Sequence, residues 1–420
     1  MPEEIDASEP VVLPPATLAR PARVVDTDDG LTNVITELAA GHGPFGVDAE
    51  RSSGFRYSAR AYLIQVSRRG GGTHLIDPIA FDDLSALGAL LATDEWILHA
   101  ATQDLACLAE VGLTPTAIFD TELGSRLAGL PRVGLGTVVS ELLGLHLAKE
   151  HSAADWSTRP LPDEWLTYAA LDVELLPDLR DALAERLIET GKLAIAEQEF
   201  AHLSNWQPAP PRADPWRRLS GLQTLTTTRQ LAVARGLWAA RDEFAQSIDM
   251  GPGRVIPDRA IIAAAAQLPS SRAALAGNKT FSGRYSRREL ARWWDAIERA
   301  LATDDLPPMR VRGTGLSTPR NWKERQPEAY ARFVCVRAAL AEISESVNIP
   351  VENLALPEMI RQICFEPPAD FSPPSIAHWL RVAGARDWPI ELIHRQLNDC
   401  FERVAADPTQ FLAAAADVDE

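Results

Sequence analysis

Short apolar runs alternate with segments of helical period between residue 44 and about residue 122. Phe45-Gly46-Val47 follows a Gly-Pro break and predicts a buried strand over 44–50. Further strands are predicted at 62–67, 74–76 and 96–100, and helices at 82–92 and 104–111. The first three strands follow one another closely before helices interleave. This order predicts an α/β domain with a mixed sheet.

The rest of the chain carries mainly helical signals. In residues 121–200 helices are predicted over 162–189 and 191–202. Two Pro-containing stretches without apolar period, 204–215 and 304–320, then read as linkers. The predicted organisation is a disordered extension at 1–22, an α/β domain at 23–203, a linker at 204–215, an all-α domain at 216–303, a linker at 304–320 and a second all-α domain at 321–412.

The two all-α domains have similar patterns. Trp216 opens the first and Trp322 the second, and each tryptophan precedes a long amphipathic helix. Pro257 and Pro357 then follow at corresponding places, 100 residues apart. The pattern favours a diverged repeat, with chance similarity of two helical domains as the alternative.

Charge is distributed unevenly along the chain. The formal net charge of −17 argues against nonspecific binding of polyanions by the whole surface. Residues 212–302, however, carry 15 Lys or Arg against 8 Asp or Glu, a net charge of +7. Because phosphate contacts come mainly from Lys and Arg, this block is the candidate nucleic-acid interface, although a solvated basic face is an equal alternative for any single residue. The densest groups are Arg217, Arg218, Arg284, Arg287 and Arg288.

Cysteine usage and hydropathy suggest a cellular compartment. The four cysteines include no CxxC pair, which favours a reduced, cytoplasmic chain over a disulfide scaffold or a zinc site. No apolar run approaches the ~20 residues needed to cross a bilayer. The acidic, Pro-containing first ten residues resemble neither a secretory nor a transit signal.

Two acids stand at the end of the first predicted strand. Asp48 and Glu50 are two residues apart, so on a strand both carboxylates point to the same face. Two carboxylates ~4 Å apart repel by ~4 kcal/mol at an effective dielectric near 20, so a compensating cation is expected. The alternative is an acidic strand end in solvent.

Further polar residues lie on two other segments. Asp104 opens a helix after a short apolar strand, where it could also serve only as a cap. Tyr168 and Asp172 are four residues apart on one helical face, so the hydroxyl lies within a turn of the carboxylate. His99 at a strand end is interpreted as structural, and Asp120, in a second DxE sequence, as a helix cap.

Three segments together resemble the motifs of the DEDD 3′–5′ exonucleases, in the subgroup with a tyrosine in the last motif. They are GVDAE at 46–50, HAATQDLACL at 99–108 and YAALD at 168–172. The two all-α domains resemble HRDC domains, the second more weakly, and the whole arrangement is similar to the ribonuclease D family. The resemblance implies a ribonuclease H-like fold for the α/β domain. Ala49 stands where the family usually has threonine, on the strand face away from the acids.

The resemblance also implies a reaction. Catalytic residues would be Asp48, Glu50, Asp104, Tyr168 and Asp172. The four carboxylates would bind two divalent cations, Mg²⁺ or Mn²⁺, and the tyrosine would orient the attacking water. Nucleoside 5′-monophosphates would be released from single-stranded RNA 3′ ends, with precursors of tRNA or other stable RNAs as expected substrates. A 3′–5′ DNA exonuclease and a catalytically inactive nucleic-acid-binding protein are the alternatives.

Overall fold

A mixed β-sheet forms the centre of the amino-terminal half of the molecule. The computed structural model describes residues 13–148, 151, 153–210, 212–310 and 316–412. Across the sheet, the order of the strands in these ranges is β1-β4-β3-β2-β5-β6. The strands are β1 Val24–Val25, β2 His42–Arg51, β3 Ala61–Arg69, β4 Gly72–Ile76, β5 Trp96–Leu98 and β6 Ile118–Asp120. β2, β3 and β4 pair antiparallel and the remaining pairs are parallel, which confirms the predicted mixed sheet.

Helices cover both faces of this sheet. They are α1 Asp28–Ala40, α2 Ser85–Leu91, α3 Leu105–Glu110, α4 Thr121–Ala128, α5 Leu135–Leu143, α6 Asp163–Glu174, α7 Leu176–Glu189 and α8 Leu193–Leu203. The helical signal over 162–189 corresponds to two helices, because α6 ends at Glu174 and α7 begins two residues later. Pro177 lies in the first turn of α7, where its missing N–H leaves no helical hydrogen bond unmade.

The pleat of β2 divides its side chains between the two faces of the sheet. Val47 and Ala49 are buried in an apolar core that includes residues of α1 and α2. Asp48 and Glu50 have the opposite parity and therefore point to the other face. That face is covered by α6 and α7.

Gly46 allows the helical layer to approach β2 closely. A Cβ atom at this position would lie 2.5 Å from Ser67 Oγ and 2.8 Å from the carbonyl oxygen of Val173. Only a residue without a side chain fits such a contact. The carboxyl end of α6 is thereby packed against the strand that carries Asp48.

The amino-terminal residues 13–22 lie on this domain. His146 N–H donates to the carbonyl oxygen of Pro14 at 2.8 Å, and Ala19 N–H donates to Glu174 Oε1 at 2.8 Å. The predicted disordered extension over 1–22 is therefore wrong for residues 13–22, because these hydrogen bonds attach the segment to the domain. Residues 1–12 lie outside the described residues.

Two groups of helices follow the sheet domain. The first helical domain contains α9 Thr228–Ser247, α10 Pro252–Val255, α11 Asp258–Gln267, α12 Arg272–Ala276, α13 Arg284–Arg288 and α14 Leu290–Ala302. The second helical domain contains α15 Trp322–Arg325, α16 Pro327–Val347, α17 Val351–Leu354, α18 Pro357–Phe365, α19 Pro373–Val382, α20 Asp387–Ala406 and α21 Thr409–Leu412. In each domain a long helix is followed by a one-turn helix and then by a helix starting next to Pro257 or at Pro357. This shared order supports the interpretation as a repeat.

None of the helices in the described ranges is long and apolar enough to cross a membrane.

The first helical domain has its own apolar core and docks on the loop between β2 and β3. Asp249 is the centre of this contact. Its Oδ1 accepts hydrogen bonds from the N–H groups of Tyr57 and Ser58, at 3.2 and 3.0 Å, and its Oδ2 accepts one from the Tyr62 hydroxyl at 3.2 Å. The first helical domain is therefore held against the loop that follows the acids of β2.

The second helical domain shares a continuous core with the amino-terminal domain. The buried carboxylate of Glu199 on α8 accepts hydrogen bonds from Trp388 Nε1 and Arg386 Nε, both at 2.6 Å. Lys192 Nζ donates to the carbonyl oxygen of Asn348 at 2.9 Å. Polar contacts thus surround an apolar junction between the two domains.

Candidate active site

A cavity of 830 Å³ opens at one end of the sheet and contains all five residues for which the sequence predicts catalytic roles. Three structural elements bring them together. β2 contributes Asp48 and Glu50, the turn from β5 into α3 contributes Asp104, and α6 contributes Tyr168 and Asp172. Because β5 pairs parallel to β2, the carboxyl ends of these strands meet at one edge of the sheet.

The acidic side chains are close to one another. Carboxylate oxygens of Asp48, Glu50 and Asp172 lie within 4.8 Å of each other. Asp104 donates a hydrogen bond to Asp48. Asp104 and Asp172 are both buried, with 6% and 8% of their surface exposed. The four carboxyls therefore form one compact cluster.

Electrostatic strain in this cluster is large. Burial, followed by repulsion from Asp48, Asp172 and Asp104, raises the pKa of Glu50 to about 10. Burial and the charge of Asp48 raise the pKa of Asp104 to about 9. The pKa values of Asp48 and Asp172 are also raised, in each case chiefly by burial. Four acids in this environment are stabilised in their ionised form only by added positive charge.

The donor set fits a divalent cation. Carboxylate oxygens are the ligands that hard ions such as Mg²⁺ and Mn²⁺ prefer, and oxygens of three acids lie close enough to share one ion. The three side chains that lie close enough to share an ion are all carboxylates, unlike the thiolate and imidazole ligands typical of zinc sites. The chemistry of these side chains is therefore suited to a divalent metal ion.

Arg51 is a charged residue of the cavity that the sequence pattern does not predict. Its Nη2 lies 3.6 Å from Asp104 Oδ1, and 30% of its side chain is exposed. Strict alternation would place residue 51 on the sheet face opposite Glu50. However, the register of β2 against β3 shifts between Glu50 and Arg51, with Tyr62 as the extra residue on β3, so the regular alternation ends at this point. The guanidinium therefore reaches the acids and offsets part of their charge.

Tyr168 is held beside the acids by its hydroxyl and its ring. The hydroxyl hydrogen-bonds to Asp172, while burial and the nearby carboxylates raise the pKa of the phenol, so it keeps its proton. Its ring contacts that of Trp156, which is fully buried and precedes the YAALD segment in the sequence. Trp156 in turn packs against Trp165.

His99 and Asp120 occupy supporting positions. His99 Nδ1 lies 2.8 Å from Thr121 Oγ1, and burial lowers the pKa of the imidazole to about 4, so the ring is neutral near pH 7. Asp120 caps α4 by accepting hydrogen bonds from the N–H groups of Glu122 and Leu123. The predicted capping role of Asp120 is confirmed.

The predicted nucleic-acid-binding arginines lie on the first helical domain and do not line the cavity. Arg217 is tied to Asp214 at 3.3 Å and to the carbonyl oxygen of Pro308 at 3.1 Å. Arg284, Arg287 and Arg288 belong to α13, which contacts α10. Arg254 of α10 stacks on Phe55 of the β2–β3 loop at 4.0 Å, so α13 is linked through α10 to the rim of the active-site domain.

Three family models match successive parts of the chain. Residues 22–188 match a 3′–5′ exonuclease domain, residues 230–297 match an HRDC domain, and residues 315–401 match a 3′ to 5′ exonuclease C-terminal domain. Ribonuclease D of Gluconacetobacter diazotrophicus is 30% identical over 367 residues, which cover 85% of this chain and 89% of that protein. Ribonuclease D of Granulibacter bethesdensis is 32% identical over 324 residues, covering 74% and 78% of the two chains.

The chain belongs to the ribonuclease D family. It is a 3′–5′ exoribonuclease with a ribonuclease H-like catalytic domain.

Solved structures agree with this membership in the ribonuclease D family. A protein from Bifidobacterium adolescentis superposes with a TM-score of 0.85 at 35% identity and covers 93% of this chain and 100% of its own. Escherichia coli RNase D superposes with a TM-score of 0.64 at 25% identity, over 91% of this chain and 99% of its own. Both alignments extend through the catalytic and helical domains.

Proposed function

We propose that Asp48, Glu50, Asp104 and Asp172 bind two divalent cations, Mg²⁺ or Mn²⁺, and that the site hydrolyses the last phosphodiester bond at an RNA 3′ end. The observation that supports this most strongly is the convergence of the four carboxyls in one cavity. When bound, such cations supply an activated water and stabilise charge that develops on the phosphate.

Asp48 is the central ligand in this proposal. It lies next to Glu50 and Asp172 on one side and is hydrogen-bonded to Asp104 on the other. A carboxylate in this position can use its two oxygens for two different ions. Loss of Asp48 should therefore disturb both metal positions, while loss of Asp104 should disturb chiefly one.

Tyr168 orients the attacking water. Its hydroxyl keeps a proton and is anchored by Asp172, so it has a fixed position from which to hydrogen-bond a water beside the acids. Arg51 supplies a positive charge next to Asp104 and can pair with a non-bridging phosphate oxygen of the substrate. The remaining free volume of the cavity accommodates the terminal nucleotide.

The substrate is proposed to be a single-stranded 3′ end of a larger RNA, with precursors of tRNA as the expected class. The E. coli relative is described as an exoribonuclease involved in structured RNA processing. The first helical domain is proposed to bind RNA phosphates on the 5′ side of the scissile bond. The side chains proposed for this contact are Arg217, Arg218, Arg284, Arg287 and Arg288. The proposed linkers at 204–215 and 304–320 begin after the ends of α8 and α14, which supports these domain boundaries. The four cysteines are free and buried, which supports work in the reducing cytoplasm.

Digestion of matched RNA and DNA strands tests this function. With 5′-labelled strands and free 3′ hydroxyls, the wild-type protein should shorten RNA one nucleotide at a time, and only in the presence of Mg²⁺ or Mn²⁺. Asp48→Asn should be inactive, and Asp163→Asn, at an exposed position in the first turn of α6, should retain activity. Equal or faster shortening of DNA would favour a DNA exonuclease. Binding without shortening would favour an inactive binding protein.

A further inference from the structure

Gln65 in β3 is a buried amide without a partner. None of its surface is exposed, and neither its side-chain oxygen nor its nitrogen has a hydrogen-bond partner among the residues that the structure describes. Buried polar groups in folded proteins are almost always hydrogen-bonded. An unpaired carboxamide in the middle of the buried part of β3 therefore needs a physical explanation.

Gln65 lies directly opposite Asp48 in the antiparallel pair of β2 and β3. Side chains of directly opposed residues point to the same face, with Cβ atoms ~5 Å apart. The carboxamide therefore extends from the same face of the sheet as Asp48, and Gln65 is not one of the residues that line the cavity.

The residues on either side show which part of α6 covers Gln65. Leu63, two positions before it, belongs to one apolar cluster with Ala169. Ser67, two positions after it, donates a hydrogen bond from its Oγ to the carbonyl oxygen of Val173 at 2.6 Å. Gln65 thus lies under the turn of α6 between these two contacts, and that turn also carries the acid of the third motif.

Carboxylates that bind metal ions are generally hydrogen-bonded on the oxygen that does not face the ion. A carboxamide nitrogen offers two N–H donors without adding a charge. A lysine or arginine here would offset the negative charge that attracts the cation, and an aliphatic side chain would leave the second carboxylate oxygen unsupported.

We propose that Gln65 is a positioning residue for metal binding: when a cation is bound, its side-chain nitrogen, unpaired in the metal-free structure, would donate a hydrogen bond to the carboxylate oxygen of Asp172 that does not face the ion. Gln65 would thereby orient this acid and would take no part in the reaction. This inference rests on the proposed function, because it needs the acids to be metal ligands.

Gln65→Leu and Gln65→Met remove the donor while keeping a side chain of similar size. Each variant is titrated with Mn²⁺ by calorimetry without RNA, and its melting temperature is measured in the presence of a chelator. The wild-type protein and Leu63→Met serve as references. Leu63 lies two residues before Gln65 on the same face of β3, opposite Glu50, and the change to methionine is conservative. A second-sphere partner changes metal affinity by roughly 10- to 100-fold.

We expect both Gln65 variants to bind Mn²⁺ about tenfold more weakly and to lose turnover at limiting metal, with an unchanged KM for RNA. Without metal they should melt at or above the wild-type temperature, because an unpaired buried amide has been removed. Wild-type affinity for Mn²⁺ in both variants would overturn the inference and leave a packing role. If the wild-type protein itself binds no Mn²⁺, the proposed function fails, and this inference fails with it.

Discussion

Asp172→Asn is expected to stabilise the metal-free protein and at the same time to abolish its activity. Asp172 is buried, and its oxygens lie within 4.8 Å of those of Asp48 and Glu50. Two ionised carboxylates at that separation repel by about 3.5 kcal/mol at an effective dielectric near 20. Partial protonation relieves some of this repulsion, because burial and the charge of Asp48 raise the pKa of Asp172 well above its ordinary value.

The stabilisation can be given a magnitude. Asparagine keeps the shape of the side chain and can still accept the hydrogen bond from Tyr168, but it carries no charge. If about half of the repulsion is relieved on mutation, the gain is about 2 kcal/mol, or roughly 4–8 °C in Tm for a domain of this size. Added Mn²⁺ should raise the Tm of the wild-type protein and raise that of the variant much less, since one ligand is missing.

Differential scanning calorimetry with a chelator and with Mn²⁺ measures the metal-free Tm and its rise on adding the ion. Release of nucleotides from labelled RNA measures the activity. Asp163→Asn in the first turn of the same helix is the matched control, and it should lose only about 0.5 kcal/mol of helix-dipole stabilisation. A variant that melts below the wild type in chelator would refute the electrostatic reasoning. Equal stabilisation of variant and wild type by Mn²⁺ would show that Asp172 is not a ligand.

Three further results are expected. Tyr168→Phe should slow turnover substantially with little change in calorimetric Mn²⁺ affinity, and unaltered rates would remove the hydroxyl from the mechanism. The pKa values of Glu50 and Asp104 are raised to about 10 and about 9 in the folded protein. These two groups should therefore stabilise the metal-free fold most below about pH 4, and this stabilisation should be lost as the pH rises through the raised pKa values. Because metal ions compete with protons for these groups, the increase in Tm on adding Mn²⁺ should grow between about pH 6 and pH 9. An increase in Tm that does not depend on pH would speak against ligation by acids that must first lose a proton. Arg51→Met should raise the KM for RNA and lower the Tm in chelator, because it removes the positive charge beside Asp104; unchanged values of both would assign Arg51 to the solvent-exposed surface.

The positions of the acids could be predicted because local periodicity determines them. The pleat places Asp48 and Glu50 on one face of β2, and the helical period places Tyr168 one turn from Asp172. Asp104 lies beside these residues because β2 and β5, which are distant in sequence, pair in parallel. Local periodicity does not predict that pairing, but the resemblance of the three motifs to one family did indicate it.

Other features of the site and of the domain packing depend on strand register and on contacts between residues far apart in sequence, which local periodicity does not predict. Arg51 reaches the site at the point where the register of β2 against β3 shifts, and no sequence pattern predicts the extra residue on β3 that causes the shift. The partner of Glu199 is Trp388, far along the chain, so the joining of the second helical domain to the catalytic domain is invisible to local analysis. Gln65 follows three apolar or aromatic residues in the sequence, and only the register of β3 shows that it lies opposite Asp48.

Calorimetric titration of Mn²⁺ into the wild-type protein and Asp48→Asn, with a nucleoside 5′-monophosphate present, measures directly whether the clustered acids form a metal centre. The wild-type protein should bind roughly two ions per chain, as a two-metal hydrolytic site requires, and Asp48→Asn should lose tight binding at both positions together with its turnover. No saturable binding by the wild type, or undiminished binding and turnover in Asp48→Asn, would contradict the proposed metal centre.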